Sequence, residues 1–191
     1  HVARWIAEAQ TEITQAIRKH GRVVLNAHTG YGKTTNAFTI AQDWPGRVIV
    51  IEPLTLIARS ETAERLTVAV LTDKTSQDEI AAARSARIVM TTADQFHKVY
   101  DTIEPGDLLI YDEADYIPRN HSWKRSDNID RLTDAIEYHP HVLAMSATPP
   151  PLRYDSWHYL AIQPPAKAVK PELEFIVGKG RVTTAAQVLI D

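Results

Sequence analysis

Short apolar runs alternate with helical stretches of about ten residues along most of this chain, and that alternation limits its possible folds more than any other feature. The apolar runs are rich in Val and Ile, which is typical of β-strands buried on both faces. Strands that alternate with helices form a parallel sheet covered by helices on both sides. The sequence therefore predicts a three-layer α/β domain with a mostly parallel central sheet.

The predicted elements and domain bounds follow from this pattern. The predicted strands cover residues 22–27, 47–51, 67–71, 87–90, 108–111 and 141–145. The predicted helices cover residues 2–18, 33–43, 54–66, 76–85, 93–100 and 127–138. Beyond residue 148, prolines interrupt two strand-like runs, 157–162 and 173–177. We expect one domain over residues 1–150, and a domain edge and linker over 151–191 that could include the start of a truncated second domain.

The composition excludes several classes of protein. With 44% hydrophobic and 24% charged residues, the chain is neither disordered nor collagen-like. The absence of cysteine excludes disulfides and thiol catalysis, and it fits a cytoplasmic or nucleoid-associated protein that is not secreted. No apolar run reaches the ~20 residues that span a bilayer, so we expect no membrane partner. A net charge of −3 means that any nucleic-acid partner must be held by a local patch.

A glycine-containing loop, Ala27-His-Thr-Gly-Tyr-Gly-Lys-Thr34, joins the first predicted strand to the second predicted helix. Its glycines allow backbone N–H groups to face a phosphate, and a helix N-terminus attracts anions. Lys33 would reach the β- and γ-phosphates, and the Thr34 hydroxyl would coordinate Mg²⁺. Because the strict template has glycine where this chain has Ala27, a glycine-rich turn without a ligand is the alternative. The candidate nucleotide-binding residues of this segment are Thr29, Gly30, Tyr31, Gly32, Lys33, Thr34 and Thr35.

Two carboxylates, Asp112 and Glu113, directly follow the predicted strand 108–111. Open parallel sheets bind ligands at this edge. Asp112 would hold Mg²⁺ through water, and Glu113 would polarise the water that attacks the γ-phosphate, so Glu113 and Lys33 are the candidate catalytic residues. The alternative is an ordinary solvated acidic loop, which the nearby phosphate loop makes less favourable.

These two motifs and Ser146-Ala-Thr148 occur in the order typical of superfamily 2 helicases and translocases, and residues 2–150 resemble the N-terminal RecA-like domain of that family. Residues 27–34, 112–115 and 146–148 resemble its motifs I, II and III. The resemblance implies a RecA-like P-loop ATPase that uses ATP and Mg²⁺. It also implies that hydrolysis is coupled to nucleic-acid movement through Asp115, Ser146 and Thr148.

Two weaker motifs resemble those that contact the sugar-phosphate backbone in this family. Residues 52–59 resemble motif Ia and residues 90–96 resemble motif Ib, although neither has the form found in DEAD-box RNA helicases. The looser forms are closer to DEAH-like and DNA-translocating branches, so we favour DNA over RNA. For the two threonines the alternative is β-branched strand packing. The residues that the resemblance places at the nucleic acid are Pro53, Arg59, Thr91 and Thr92.

Gln10 lies within the apolar stripe of the first predicted helix. At 100° per residue it is about 40° from Ile6 and about 20° from Ile17. A buried amide needs a hydrogen-bond partner. Members of the family read adenine with a glutamine upstream of motif I, so the resemblance implies that Gln10 reads adenine. The alternative is a glutamine at the edge of the stripe that reaches water.

The resemblance implies an ATP-dependent nucleic-acid helicase or translocase. Two rivals stay open: a motor that moves a polypeptide, and an ATP-sensing or scaffolding module that does not hydrolyse ATP. In the family, arginines of a second RecA-like domain close over the γ-phosphate, and we expect that domain to be absent from this chain. Since an arginine finger contributes ~10³–10⁵ in kcat, we expect this fragment to hydrolyse ATP very slowly or not at all.

Overall fold

The centre of the molecule is a seven-stranded sheet in which every pair of neighbours is parallel. The computed structural model describes residues 6–28, 30–52, 68–114, 127–147, 156–162, 176–178 and 181–183. The strands are β1 (Arg22–Ala27), β2 (Val48–Glu52), β3 (Val68–Leu71), β4 (Ile88–Thr92), β5 (Leu108–Tyr111), β6 (Val142–Ser146) and β7 (His158–Ile162). Their order in the sheet is β3-β4-β2-β5-β6-β1-β7. The predicted parallel sheet is confirmed.

Helical elements cover both faces of the sheet, as the sequence predicts. The α-helices are α1 (Gln10–His20), α2 (Lys33–Asp43), α3 (Gln77–Ser85) and α4 (Asp127–Tyr138). On one face, Ile13 and Ile17 of α1 and Ile40 of α2 share a buried cluster with inward residues of the strands. On the other face, Ala83 of α3 and Leu132 of α4 belong to a second cluster. The strands β2, β4, β5 and β6 are buried at every position, which is expected of a parallel sheet between two layers.

Local sequence signals explain where two of the helices begin or end. α3 begins with a capping box, because the Ser76 side chain accepts a hydrogen bond from the Glu79 backbone and the Glu79 carboxylate accepts one from the Ser76 backbone. The Glu79 carboxylate accepts hydrogen bonds from the Ser76 backbone and from the Ser76 hydroxyl, and these two bonds lower the pKa of Glu79. α1 ends at His20 and is capped by Gly21, whose φ of +75° lies in the left-handed region and whose N–H donates to the carbonyl of Ile17.

The segment predicted as a helix over 93–100 is instead two 3-10 helices, Ala93–Lys98 and Tyr100–Thr102. The buried residues explain the difference. Ala93, Phe96 and Val99 are all buried and recur at every third position, the spacing that a 3-10 helix aligns on one side. A short 3-10 connector therefore buries this apolar pattern more completely than an α-helix of the same length.

The sheet extends past residue 150, where the sequence analysis ends the first domain. β7 pairs in parallel with β1 along its whole length, from Val23 opposite His158 to Ala27 opposite Ile162. Further along the chain, β8 (Ile176–Gly178) and β9 (Arg181–Thr183) form a separate antiparallel pair. The helix predicted for 54–66 lies outside the described residues. Among those described, no helix is long and apolar enough to cross a membrane.

We expect Gly21→Ala to destabilise the protein by at least about 2 kcal/mol, because the positive φ is unfavourable for alanine and its Cβ would collide with the carbonyl oxygen of Pro140. Gly106→Ala is the matched control, since a Cβ there has open space around it. Urea unfolding of both variants tests this expectation. Equal unfolding midpoints for the two would contradict the described turn.

Candidate functional site

The loop between β1 and α2 has the backbone geometry of an anion-binding turn. Gly30 and Gly32 have φ values of +84° and +78°, which glycine adopts without strain. The Gly32 carbonyl accepts hydrogen bonds from both the backbone and the side chain of Asn36, each at 3.0 Å. These contacts fix the loop at the N-terminus of α2, where unpaired N–H groups and the helix dipole favour an anion.

Ala27, which stands where the phosphate-loop template has glycine, belongs to strand β1 and not to the loop. Ala27 is the last residue of β1, it pairs with Ile162, and its side chain is fully buried in the core. Its backbone is therefore extended, a conformation open to any residue. Alanine here leaves the glycine-dependent turns at Gly30 and Gly32 unchanged.

Lys33, the first residue of α2, places a buried ammonium group under the loop. Its side chain is 7% exposed, and its Nζ donates to the carbonyl of Ala27 at 3.3 Å. The same Nζ lies 3.6 Å from Oε1 of Glu113. The structure thus brings together the two residues that the sequence analysis selects for catalysis.

Thr34 and Asp112 form the second link between the loop and the acidic strand end. The Thr34 hydroxyl donates to Oδ2 of Asp112 at 2.9 Å, and the Glu113 backbone donates to Oδ1 at 2.9 Å. Burial raises the pKa of Asp112, while the hydrogen bonds from Thr34 and Glu113 and the charge of Lys33 oppose this. A hydroxyl and a carboxylate are oxygen ligands of the kind that Mg²⁺ prefers, so this pair fits that ion.

The backbone of Glu113 is unusual. Its φ is +49°, the one positive value found for a residue other than glycine in the described parts of the chain. A non-glycine residue in this region costs about 1–3 kcal/mol and is often found at functional sites. Glu113 follows Asp112 in this turn, and its carboxylate reaches back to Lys33.

Glu52 is a buried acid that the sequence analysis does not select as a functional residue. It ends β2, its side chain is 0% exposed, and neither carboxylate oxygen has a hydrogen-bond partner within the described ranges. Burial, followed by the charges of Asp112 and Glu113, raises the pKa of Glu52 to about 8. In the sequence, the feature that could have identified Glu52 is an acidic residue directly after the apolar run 48–51.

Asn36 is the second residue that sequence reasoning missed. It is 5% exposed, and its amide holds the carbonyl of Gly32. In the sequence, the feature that could have identified Asn36 is a polar residue two positions after the Lys-Thr pair.

Gln10 is the first residue of α1 and is half-exposed, so it lies at the edge of the apolar stripe and is less buried than predicted. Its Nε2 donates to Oδ2 of Asp43 at 3.0 Å. Asp43 is the last residue of α2, whereas the phosphate loop meets the first. Because eleven residues of α-helix span about 16 Å, this contact places the amide at the far end of α2 from Lys33. A role for Gln10 in reading adenine stays a prediction.

The remaining predicted residues divide by position. Tyr31 is half-buried and its carbonyl accepts a hydrogen bond from the backbone of Ile6, while Thr35 is exposed. Thr91 and Thr92 end β4 with buried side chains, so in this structure they are packed inside the sheet layer. Ser146 is fully buried at the end of β6. Five predicted residues lie outside the described parts of the chain, namely Thr29, Pro53, Arg59, Asp115 and Thr148.

A parallel sheet with a glycine loop leading into α2, and with acids at the end of β5, defines a RecA-like P-loop domain. Residues 7–155 match the sequence model of the DEAD/DEAH box helicases. The chain therefore belongs to the DEAD/DEAH box helicase family, and the resemblance to superfamily 2 helicases is confirmed.

Solved structures of helicase domains share this fold. A DEAD box protein from the hyperthermophile Methanococcus jannaschii gives a TM-score of 0.60 at 18% identity, over 82% of this chain and 49% of that one. The Pyrococcus furiosus Hef helicase domain gives 0.57 at 18% identity, over 80% and 38%. A hypothetical ATP-dependent RNA helicase from Sulfolobus tokodaii gives 0.55 at 22% identity, over 74% and 46%. The chain spans less than half the length of each of these structures. None of the curated protein sequences compared with the chain matches it.

The raised pKa of Glu52 predicts a pH-dependent stability. Between pH about 4.5 and 8 the folded protein keeps a proton on Glu52 that the unfolded chain has released, so raising the pH favours unfolding. This group costs at most about 1.4 kcal/mol of stability per pH unit in that range. We expect Glu52→Gln to lose less stability than the wild type between pH 5.5 and 8 in urea unfolding. The exposed control Glu12→Gln should follow the wild type, and parallel curves for all three proteins would contradict the prediction.

Proposed function

We propose that this chain is the ATP- and Mg²⁺-binding motor domain of a nucleic-acid helicase or translocase. The observation that carries the proposal is the contact between the phosphate loop and the acidic end of β5. Thr34 lies 2.9 Å from Asp112 and Lys33 lies 3.6 Å from Glu113, although the four residues come from segments about eighty positions apart. Family membership supports the same conclusion.

The phosphates of ATP would lie in the turn formed by Gly30 and Gly32, against the first N–H groups of α2. Lys33 would then exchange its contacts with Ala27 and Glu113 for the β- and γ-phosphate oxygens. Mg²⁺ held by Thr34 and Asp112 would neutralise charge that develops on the phosphates.

The exchange at Lys33 would also prepare the catalytic carboxylate. In the present structure Glu113 is paired with Lys33, and its side chain is 40% exposed. Once the ammonium turns to the phosphates, Glu113 is released to accept a proton from the attacking water. The same phosphates would thus both bind the lysine and free the base.

The nucleic-acid partner is proposed to be DNA, and its support is the form of the motifs. Residues 52–59 and 90–96 depart from the patterns of DEAD-box RNA helicases. The shared fold favours neither DNA nor RNA, because the structural neighbours include a hypothetical ATP-dependent RNA helicase and a Sulfolobus solfataricus SWI2/SNF2 ATPase core in complex with dsDNA. The residues proposed to contact the strand are Pro53, Arg59, Thr91 and Thr92, and those proposed to couple hydrolysis to movement are Asp115, Ser146 and Thr148.

A steady-state ATPase assay with added DNA, RNA or unfolded polypeptide separates the proposed function from its rivals. Stimulation by DNA supports the proposal, and stimulation by RNA corrects the polymer. Stimulation by polypeptide alone would identify a protein motor. Tight ATP binding without turnover under all conditions, including with a second RecA-like domain supplied, would identify a non-hydrolysing module.

We expect Lys33→Ala to weaken binding of a fluorescent ATP analogue at least tenfold, because a charged hydrogen bond to phosphate contributes about 1.5–3 kcal/mol. The exposed Lys19→Ala is the control. Circular dichroism of both variants checks that the fold is intact. Equal affinities for the wild type and Lys33→Ala would remove Lys33 from the site.

Glu113→Gln should keep the affinity for ATP and lose ~10²–10⁴ in turnover, since the amide retains the shape but does not take a proton. Single-turnover hydrolysis of labelled ATP detects this loss even if the chain alone is slow. Glu12→Gln is the matched control. Hydrolysis at the wild-type rate in Glu113→Gln would show that another group activates the water.

Gln10→Ala should reduce the preference for ATP over GTP and CTP, because an amide reads the adenine edge through one donor and one acceptor. The loss is on the order of 1–3 kcal/mol if the partner groups stay buried. The exposed Gln15→Ala, on the same helix, serves as the control in competition assays. If the wild-type protein does not distinguish the bases, the prediction that Gln10 reads adenine is wrong, and its contact to Asp43 is then structural.

A further inference from the structure

Glu52 lies at the carboxyl edge of a central strand, on the same side of the sheet as the phosphate loop. Along β2, Val48 and Val50 belong to the cluster that α1 and α2 cover, while Ile49 and Ile51 belong to the opposite one. Successive side chains of a strand alternate between faces, so Glu52 faces α2. Asp112 faces the same side, because its carboxylate meets Thr34 at the start of α2.

The burial of Glu52 is unfavourable unless something else satisfies it. Its side chain is 0% exposed and both carboxylate oxygens lack hydrogen-bond partners within the described ranges. Burying a polar group without a hydrogen bond destabilises a protein, and an apolar residue would suit the end of this strand better. The acceptors of Glu52 are therefore available to hydrogen-bond donors that arrive with a ligand.

The neighbouring groups indicate which ligand brings such donors. Asp112 and Glu113 are the charges that act on Glu52, and Asp112 and Thr34 fit a Mg²⁺ ion. Among the described residues no three acidic or histidine side chains are arranged to hold a metal directly, so Glu52, Asp112 and Glu113 do not form a site of three carboxylate ligands. Protein-bound Mg²⁺ keeps several water molecules, and carboxylates next to a metal site commonly accept hydrogen bonds from the groups bound to it.

We propose that Glu52 is a positioning residue whose carboxyl group accepts hydrogen bonds from water molecules of the Mg²⁺ ion held by Thr34 and Asp112. A carboxyl oxygen accepts hydrogen bonds in either protonation state, so the role does not depend on the charge of Glu52. The inference rests on the proposed function in one respect, that Mg²⁺ enters the site with a nucleotide. It adds a residue from β2 to a site otherwise built from α2 and the end of β5.

The test combines Glu52→Val and Glu52→Gln with Mg²⁺ titrations of nucleotide binding, using a fluorescent ATP analogue. We expect the Mg²⁺ concentration for half-maximal binding to rise at least tenfold in Glu52→Val and by less in Glu52→Gln, which keeps one acceptor. Affinity measured in EDTA should not change. Met90→Leu, a conservative change on the same face of the neighbouring strand β4, is the control for disturbance of the core.

Thermal unfolding of the ligand-free variants gives a second, independent readout. Glu52→Val should raise the melting temperature, because it removes the buried acid without a partner, while it weakens the response to Mg²⁺. An unchanged Mg²⁺ requirement in both variants would overturn the inference, and Glu52→Gln keeps that test available if Glu52→Val does not fold. A wild-type protein that binds no nucleotide with Mg²⁺ would instead reject the proposed function, and this inference with it.

Discussion

Parallel pairing of β1, β6, β5 and β2 is the constraint on which the rest of the site depends. Because all four strands run in the same direction, their carboxyl ends meet at one edge of the sheet. That edge carries the phosphate loop after β1, Asp112 after β5 and Glu52 at the end of β2. No local sequence signal could bring these residues together, since they are separated by whole strand–helix units. The site therefore depends on the order and direction of the strands as well as on the individual motifs.

The charges at this edge are unbalanced in a way that suits a cation accompanied by phosphate. Counted formally, Lys33 stands against three acids, Glu52, Asp112 and Glu113. Burial raises the pKa values of Glu52 and Asp112, which shows that the site favours fewer negative charges than it formally carries. A divalent cation would offset this excess. Phosphate groups without a cation, by contrast, would be repelled by the carboxylates that lie near Lys33.

The parts of the fold that depend on local patterns could be predicted from the sequence. The glycines of the loop and the Val-rich runs gave the start of α2 and the parallel sheet because each depends on neighbouring residues alone. The predicted helix over 93–100 is wrong in type, because the buried residues there recur at every third position, a spacing that suits a 3-10 connector. Glu52 could not be predicted as a site residue, because its burial depends on strands that are distant from it in sequence. The sequence predicts Gln10 inside the apolar stripe, but its amide donates a hydrogen bond to Asp43. Asp43 belongs to a different helix, so this contact could not be predicted from the pattern of α1 alone.

The ligand-free arrangement of Lys33 and Glu113 does not oppose nucleotide binding strongly. Glu113 is 40% exposed, and an ion pair with an exposed partner contributes only about 0–1 kcal/mol. The hydrogen bond from Thr34 to the Asp112 carboxylate contributes a further ~1.5–3 kcal/mol, and it is replaced rather than lost if both groups hold a metal ion. Charge-assisted hydrogen bonds from an ammonium to phosphate are roughly twice as strong as neutral ones. The internal contacts therefore keep buried charges paired in the absence of ligand, yet they are weak enough for ATP and Mg²⁺ to replace them.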